Sequence, residues 1–248
     1  MHMLLEGEGV TKRFGGLTAL RGVDFKLEKG EILGLIGPNG AGKTTLFNII
    51  SGFLKPTAGV VRFKGVELTK LKPHQICRLG IARTFQVVKP FLKSTVLENV
   101  MAGAMFGRER GLGLDEAREE ALYYLRFVGL ESKKSVLAKD LNVVERKFVE
   151  IARALATKPE VILLDEPLAG LNPAEIAEAS KLVERIRDEL GVTVFWVEHV
   201  MKAIMGTAER IIVLHNGMKI AEGPPQEVSR NRKVIEAYLG EAVGEVVA

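Results

Sequence analysis

The chain has 248 residues, of which 47% are hydrophobic and 27% charged, with a formal net charge of +4. These values exclude a disordered chain, and the aperiodic glycines and prolines exclude a collagen-like or low-complexity one. The single cysteine, Cys77, cannot form an internal disulfide, so we expect a reducing compartment such as the cytoplasm. No stretch approaches about 18 consecutive apolar residues, and the first residues lack a signal-peptide pattern. We therefore expect a protein that is neither secreted nor integral to a membrane.

The first third of the chain carries short strand-like runs separated by glycine, which predict an antiparallel sheet beside a parallel core. These runs are residues 4–10, 23–27 and 60–63. A compact apolar run at 31–36 predicts a further strand, and apolar residues at helical spacing predict a helix over 43–51. A glycine-rich loop, GPNGAG, joins that strand to that helix.

The middle of the chain, from about residue 87 to 140, has mostly helical periodicity. The periodic segments are 95–105 and 115–128, with a glycine-rich break at 107–113. We expect this region to be a helical subdomain inserted into an α/β core.

The last part of the chain returns to alternating strands and helices. Two runs rich in β-branched residues, 161–164 and 192–197, predict buried parallel strands. Between them an amphipathic helix is predicted over 173–190, with Pro173 in its first turn. Strands at 210–214 and 218–221 and a helix near 233–239 follow. The predicted fold is one α/β domain spanning 1–248, in which 1–86 and 141–248 form the core with its antiparallel part.

The strongest motif is the loop between the first parallel strand and its helix: Gly37, Pro38, Asn39, Gly40, Ala41, Gly42, Lys43 and Thr44. It matches the phosphate-binding pattern G-x-x-x-x-G-K-[ST] in the required strand–loop–helix context. Glycines let backbone N–H groups converge on phosphates, and the start of a helix attracts them. We expect Lys43 to add charge at the β- and γ-phosphates and the Thr44 hydroxyl to bind Mg²⁺.

Polar side chains are predicted at the carboxyl ends of three further strands, where open α/β sheets bind ligands. Asp165 and Glu166 follow the run at 161–164, and the pair suits Mg²⁺ binding and polarisation of an attacking water, respectively. His199 follows the run at 192–197 and is a candidate to sense a γ-phosphate. Gln86 is a candidate to reach the metal or the water and to couple the site to the helical region.

These motifs resemble, over essentially the whole chain, those of ATP-binding-cassette ATPases. The shared order is the phosphate loop, Gln86, an IARAL segment at 151–155, Asp165-Glu166 and His199. The resemblance implies ATP and Mg²⁺ as cofactors.

Roles follow from that resemblance residue by residue. Phe14 matches the aromatic that stacks on adenine, the alternative being a core aromatic. Residues 37–45, ending in Thr45, match the phosphate loop and helix start. Gln86 matches the loop that reports nucleotide state to the membrane subunit, Glu166 the catalytic base and His199 the switch histidine.

Shorter segments are similar to the ATPase subunits of branched-chain amino-acid importers. They are 83–86, 169–173, 198–199 and 234–240. The likeness implies a peripheral ATPase on the cytoplasmic face of the membrane, bound to transmembrane permease subunits and paired with a second ATPase subunit, identical or different. Urea and amide importers and lipopolysaccharide-export ATPases share parts of this set and stay open as alternatives.

One segment departs from the family. Where the family's signature loop reads LSGGQ, this chain has Leu141, Asn142, Val143, Val144 and Glu145. The valines restrict the close approach that glycine allows, and the carboxylate repels a phosphate. The same spacing predicts a helix-capping box, with Asn142 as cap and Glu145 three residues later. A nucleotide-dependent clamp with little hydrolysis therefore stays open as another function.

A soluble cassette ATPase of DNA repair or translation is disfavoured. The sequence has neither a second phosphate loop nor sustained heptads, and it shows no stripe of basic and aromatic residues for nucleic acid. We expect no nucleic-acid partner.

Overall fold

The structure is a computed structural model that describes residues 3–108 and 111–245, with side chains described as far as residue 239. The chain divides into two compact units. The first unit comprises Met1–Lys72 and Thr193–Ala248, and the second comprises Pro73–Val192. Within the described ranges, no helix has the length and apolar character needed to cross a membrane.

The first unit begins with five strands and one helix. These are β1 (Met3–Phe14), β2 (Leu17–Glu28), β3 (Ile32–Ile36), α1 (Lys43–Ile50), β4 (Ala58–Phe63) and β5 (Val66–Glu67). Four of the strands form an antiparallel sheet in the order β2-β1-β4-β5. β1 and β2 form a hairpin closed at Gly15 and Gly16, where Gly15 has φ 56°. Both strands run further than their apolar runs predict, because polar residues continue the pairing to that turn.

The second unit follows with helices and two short strands. Its elements are α2 (Pro73–Leu79), β6 (Ile81–Arg83), α3 (Val96–Phe106), α4 (Leu114–Phe127), α5 (Val143–Leu155), β7 (Val161–Asp165) and α6 (Pro173–Asp188). Two 3-10 turns, Glu131–Lys133 and Ala138–Asp140, lie between α4 and α5. β6 pairs in parallel with β7, so the two strands end at the same edge. The sequence does not predict α2 or the two 3-10 turns.

The chain then returns to the first unit with β8 (Thr193–Val197), α7 (Met201–Thr207), β9 (Arg210–His215), β10 (Met218–Gly223), α8 (Pro225–Val228) and α9 (Arg232–Glu245). β3 lies between β8 and β9 and pairs in parallel with both, while β10 pairs antiparallel with β9. Every residue of β3 and β8 is buried, as predicted for central parallel strands.

The core of the first unit lies where the antiparallel sheet meets α1 and β8. The Phe195 ring of β8 packs against Phe47 of α1 and Phe25 of β2, with centroid distances of 5.1 and 5.7 Å. This packing fixes α1, and with it the glycine-rich loop that precedes it. The α/β class with antiparallel and parallel strands is confirmed, whereas the boundaries given for the helical subdomain stay a prediction.

Candidate active site

The loop between β3 and α1 lies against neighbouring backbone. Gly37 and Gly42 have φ angles of 150° and 106°. A Cβ on Gly37 would lie 2.1 Å from the Leu214 carbonyl oxygen, and one on Gly42 would lie 2.7 Å from the Ala19 carbonyl oxygen. Neither position accepts a side chain, so the path of the loop depends on these glycines.

Lys43 turns its ammonium group back into that loop. Its Nζ donates to the carbonyl oxygens of Gly37 at 2.5 Å and Pro38 at 2.8 Å, and the residue is only 5% exposed. Thr44 is exposed and Thr45 half-buried in the first turn of α1. Among the described residues, no side chain caps this helix start. The first N–H groups of α1 therefore point to an anion site with a cation beside it.

Phe14 ends β1 at the hairpin turn and is 44% exposed. The Lys12 ammonium lies 5.1 Å from the centroid of its ring. This exposure argues against the core alternative and leaves a ring face accessible for stacking.

His199 follows β8 and is exposed, whereas the preceding Glu198 is 1% exposed. The backbone N–H of His199 donates to the Glu198 carboxylate at 3.3 Å. β8 therefore delivers the imidazole to the surface just past a strand end, as the sequence predicts.

The carboxylates of Asp165, which ends β7, and Glu166, which follows it, belong to the second unit and are both buried. Asp165 Oδ2 accepts from Arg83 Nη2 at 2.7 Å, in an ion pair that is almost wholly buried. Burial lowers the pKa of the Arg83 guanidinium, and the charge of Asp165 opposes that shift. Arg83 ends β6, so the parallel pairing of β6 and β7 brings the two side chains together.

Glu166 is in the left-handed region with φ 51° and is 8% exposed. That conformation is uncommon for a residue with a side chain and is enriched at functional sites. Gln86 Nε2 donates to Glu166 Oε2 at 2.7 Å. The structure thus brings together two predicted site residues that lie far apart in the sequence.

The altered signature segment forms the start of α5. Asn142 Oδ1 accepts from the Glu145 N–H at 2.9 Å, and Glu145 Oε2 accepts from the Asn142 N–H at 3.1 Å. The predicted capping box is therefore confirmed. Glu145 also pairs with Lys133, and this hydrogen bond lowers the pKa of the carboxyl. Leu141 is buried, while Val143 is 61% exposed beside the cap.

Three charged residues of α5 contact the site although their sequence pattern does not predict it. Lys147 and Glu150 are buried and Arg153 is mostly so, and all three contact the loops that carry Gln86 and Glu166. The only trace of these residues in the sequence is three charges spaced by three among apolar residues of one helix. A solvated helix face produces the same pattern.

Taken together, these elements define an α/β nucleotide hydrolase of the phosphate-loop class. A model described as ABC transporter matches residues 20–169, and one described as branched-chain amino acid ATP-binding cassette transporter matches residues 218–244. The chain belongs to the ABC transporter family and is one of its ATPases.

Individual relatives are similar to this chain over almost its full length. The chain is 40% identical to the high-affinity branched-chain amino acid transport ATP-binding protein BraF of Pseudomonas aeruginosa, covering 96% of this chain and 98% of BraF. Among solved structures, the ADP conformation of the cassette MJ1267 is similar at 34% identity and a TM-score of 0.88, covering 97% of this chain and all of that one. The dimeric bacterial cassette MJ0796 is similar at 30% identity and a TM-score of 0.82, covering 90% and 99%.

Proposed function

We propose that this chain is the ATP-hydrolysing subunit that energises an importer of branched-chain amino acids. The observation that carries the solute class is the match of residues 218–244, which hold β10 and most of α9, to the branched-chain amino acid family. The name of the BraF relative points the same way. Import of urea or another amide, and lipopolysaccharide export, are the competing substrates.

The first unit supplies nucleotide binding. The N–H groups of residues 37–45 and the start of α1 hold the phosphates, and the Lys43 ammonium exchanges the Gly37 and Pro38 carbonyls for phosphate oxygens. The exposed ring of Phe14 stacks on adenine.

The second unit supplies the proposed base and the residue that orients it, and the first unit contributes His199. Glu166 accepts a proton from the attacking water, and Gln86, which already donates to Glu166, orients that carboxylate. His199, at its own strand end, contacts the γ-phosphate and holds the water.

Oxygen donors among the site residues fit Mg²⁺, which neutralises phosphate charge when bound. The proposed ligands are the Thr44 hydroxyl, the Asp165 carboxylate and the Gln86 amide. In the part of the chain that the structure describes, no three His, Cys, Asp or Glu side chains gather into a metal site.

The working unit we propose contains transmembrane permease subunits and a second, different ATPase subunit, on the cytoplasmic face of the membrane. In such a dimer each signature segment completes the partner's nucleotide site. In this chain the Asn142 side chain caps α5, and Glu145 places a carboxylate in the signature segment. A heterodimer therefore has one strong hydrolytic site, built on this chain's Lys43 and Glu166.

A clamp with little hydrolysis is the second candidate function, and the same capping box favours it.

The test is reconstitution of the chain, with the permease and ATPase subunits that co-purify with it, into proteoliposomes. We expect ATP-dependent accumulation of radiolabelled leucine, and its loss when this chain carries Glu166→Gln. Accumulation of urea instead of leucine would reassign the solute. ATP binding without turnover in the wild-type complex would favour the clamp.

A further inference from the structure

Helix α5 carries a row of charged side chains that solvent barely reaches. Lys147 and Glu150 are 7% and 4% exposed, and the side chain of Arg153 is 21% exposed. Charged residues are rarely buried unless they are paired. Spaced by three, these residues lie on successive turns of one side of the helix. We call them the α5 charge row.

The N-terminal member of the row holds the segment after Glu166. Lys147 Nζ donates to the carbonyl oxygens of Pro167 at 2.9 Å and Ala169 at 2.5 Å. Pro167 directly follows Glu166, whose backbone is in the left-handed region. Lys147 thus restrains the chain at the point where Glu166 leaves β7.

The other two members hold the loop that contains Gln86. The Glu150 carboxylate, whose Oε1 lies 3.7 Å from Arg153 Nη2, faces the backbone N–H groups of Phe85 and Lys89. Arg153 donates to the Lys89 carbonyl oxygen at 3.2 and 3.3 Å, and its guanidinium lies 5.4 Å from the centroid of the Phe91 ring. The loop that contains Gln86 is therefore anchored to α5 at Lys89 and lies against Glu150 at Phe85, the residue next to Gln86.

One helix consequently contacts the segments next to both partners of the Gln86–Glu166 hydrogen bond, which is 2.7 Å long. We infer that Glu150 is a positioning residue for ATP hydrolysis: its carboxylate fixes the loop of Gln86 so that the Gln86 amide orients Glu166. The inference rests on the proposed role of Glu166 as the base. Glu150 itself touches no reacting atom.

The experiment compares Glu150→Ala, which removes the acceptor, with Glu150→Gln, which keeps an oxygen acceptor of the same shape. Each variant is purified in the complex with the partner subunits, and kcat and KM for ATP are measured. We expect Glu150→Ala to lower kcat about 10-fold with KM for ATP within about twofold, and Glu150→Gln to restore kcat to within about twofold of wild type. Glu119→Ala, an exposed glutamate of α4, is the matched control and should leave both constants unchanged.

A double-mutant cycle tests whether Glu150 acts through Gln86. In a Gln86→Ala background, adding Glu150→Ala should lower kcat by less than about twofold, because the loop no longer positions a donor. Full additivity of the two losses would overturn the inference, as would a wild-type kcat for Glu150→Ala or a Glu150→Gln variant as slow as the alanine variant.

Two further measurements distinguish misfolding, failure of the proposed function and failure of this inference. If Glu150→Ala does not fold, as judged by circular dichroism, Glu150→Met fills the same space without an acceptor and carries the same expectation. A wild-type complex that binds but does not hydrolyse ATP would refute the proposed function. A hydrolysing wild type with an unaffected Glu150→Ala variant would refute this inference alone.

Discussion

Helices α1 and α5 both begin at segments for which we propose a role in nucleotide binding, and they treat their first N–H groups in opposite ways. At α1 the preceding residue is Gly42 and no described side chain caps the helix. At α5 the chain caps itself, since Asn142 and Glu145 satisfy each other's backbone N–H groups. A helix start can serve a ligand or its own side chains with the same N–H group, but it cannot serve both at once. The comparison predicts that this chain has a strong phosphate site and a weak signature.

The largest effect is expected from Glu166, the proposed base. Glu166→Gln keeps the shape of the side chain and its contact with Gln86 but removes its ability to accept a proton. Turnover should fall on the order of 10²-fold or more, while ATP binding persists. Steady-state hydrolysis and ATP titration of the same preparation measure the two quantities. Near-normal hydrolysis would exclude Glu166 as the base.

Next comes the cation at the start of α1. Lys43→Ala removes the charge that we propose faces the phosphates and should weaken ATP binding about 10- to 100-fold, since hydrogen bonds to charged groups contribute about 1.5–3 kcal/mol. A fluorescent nucleotide titration measures the change. Lys29→Ala, an exposed lysine in the turn after β2, is the control and should bind as wild type. Equal affinity for wild type and Lys43→Ala would contradict the assignment of the loop.

The buried carboxyl of Glu150 in α5 should make the free energy of unfolding depend on pH. Burial raises the pKa of Glu150 from an ordinary value near 4.5 to about 7. A carboxyl whose pKa is higher in the folded than in the unfolded chain stabilises the fold below pH 4.5 and loses that contribution as pH rises to about 7. The loss is on the order of 1–3 kcal/mol.

Urea unfolding of wild type and Glu150→Gln at pH 5 and pH 7.5 isolates this contribution, because the amide does not titrate. The free energy of unfolding of wild type should fall relative to that of the variant as pH rises. A difference between the two proteins that is the same at both pH values would show that Glu150 does not titrate in this range.

The smallest effect is expected at the α5 cap itself. Asn142→Ala removes the acceptor for the Glu145 N–H and should lower the free energy of unfolding by about 1 kcal/mol. Asn142→Ser keeps a cap and should cost only a few tenths of that value. Equal stability of the alanine and serine variants would mean that the capping box contributes nothing measurable.

Both helix starts can be predicted from the sequence, because each depends on a few adjacent residues. The glycines, Lys43 and Thr44 define one, and Asn142 with Glu145 defines the other. The Gln86–Glu166 contact was not predictable in that way, since it depends on β6 and β7 being neighbours, and strand order is not encoded locally. The α5 charge row was missed because Lys147, Glu150 and Arg153 have the spacing of a solvated helix face. Only the loops that pack over them make them buried.

The most direct test of the contrast between α1 and α5 is the mass of the Glu166→Gln protein in solution with ATP. Light scattering would measure this mass for the chain alone and again with the proposed partner ATPase subunit. If the self-capped signature of α5 supports closure poorly, the chain alone stays monomeric with ATP and forms an ATP-dependent dimer only with the partner. A stable ATP-dependent homodimer of this chain by itself would contradict that claim.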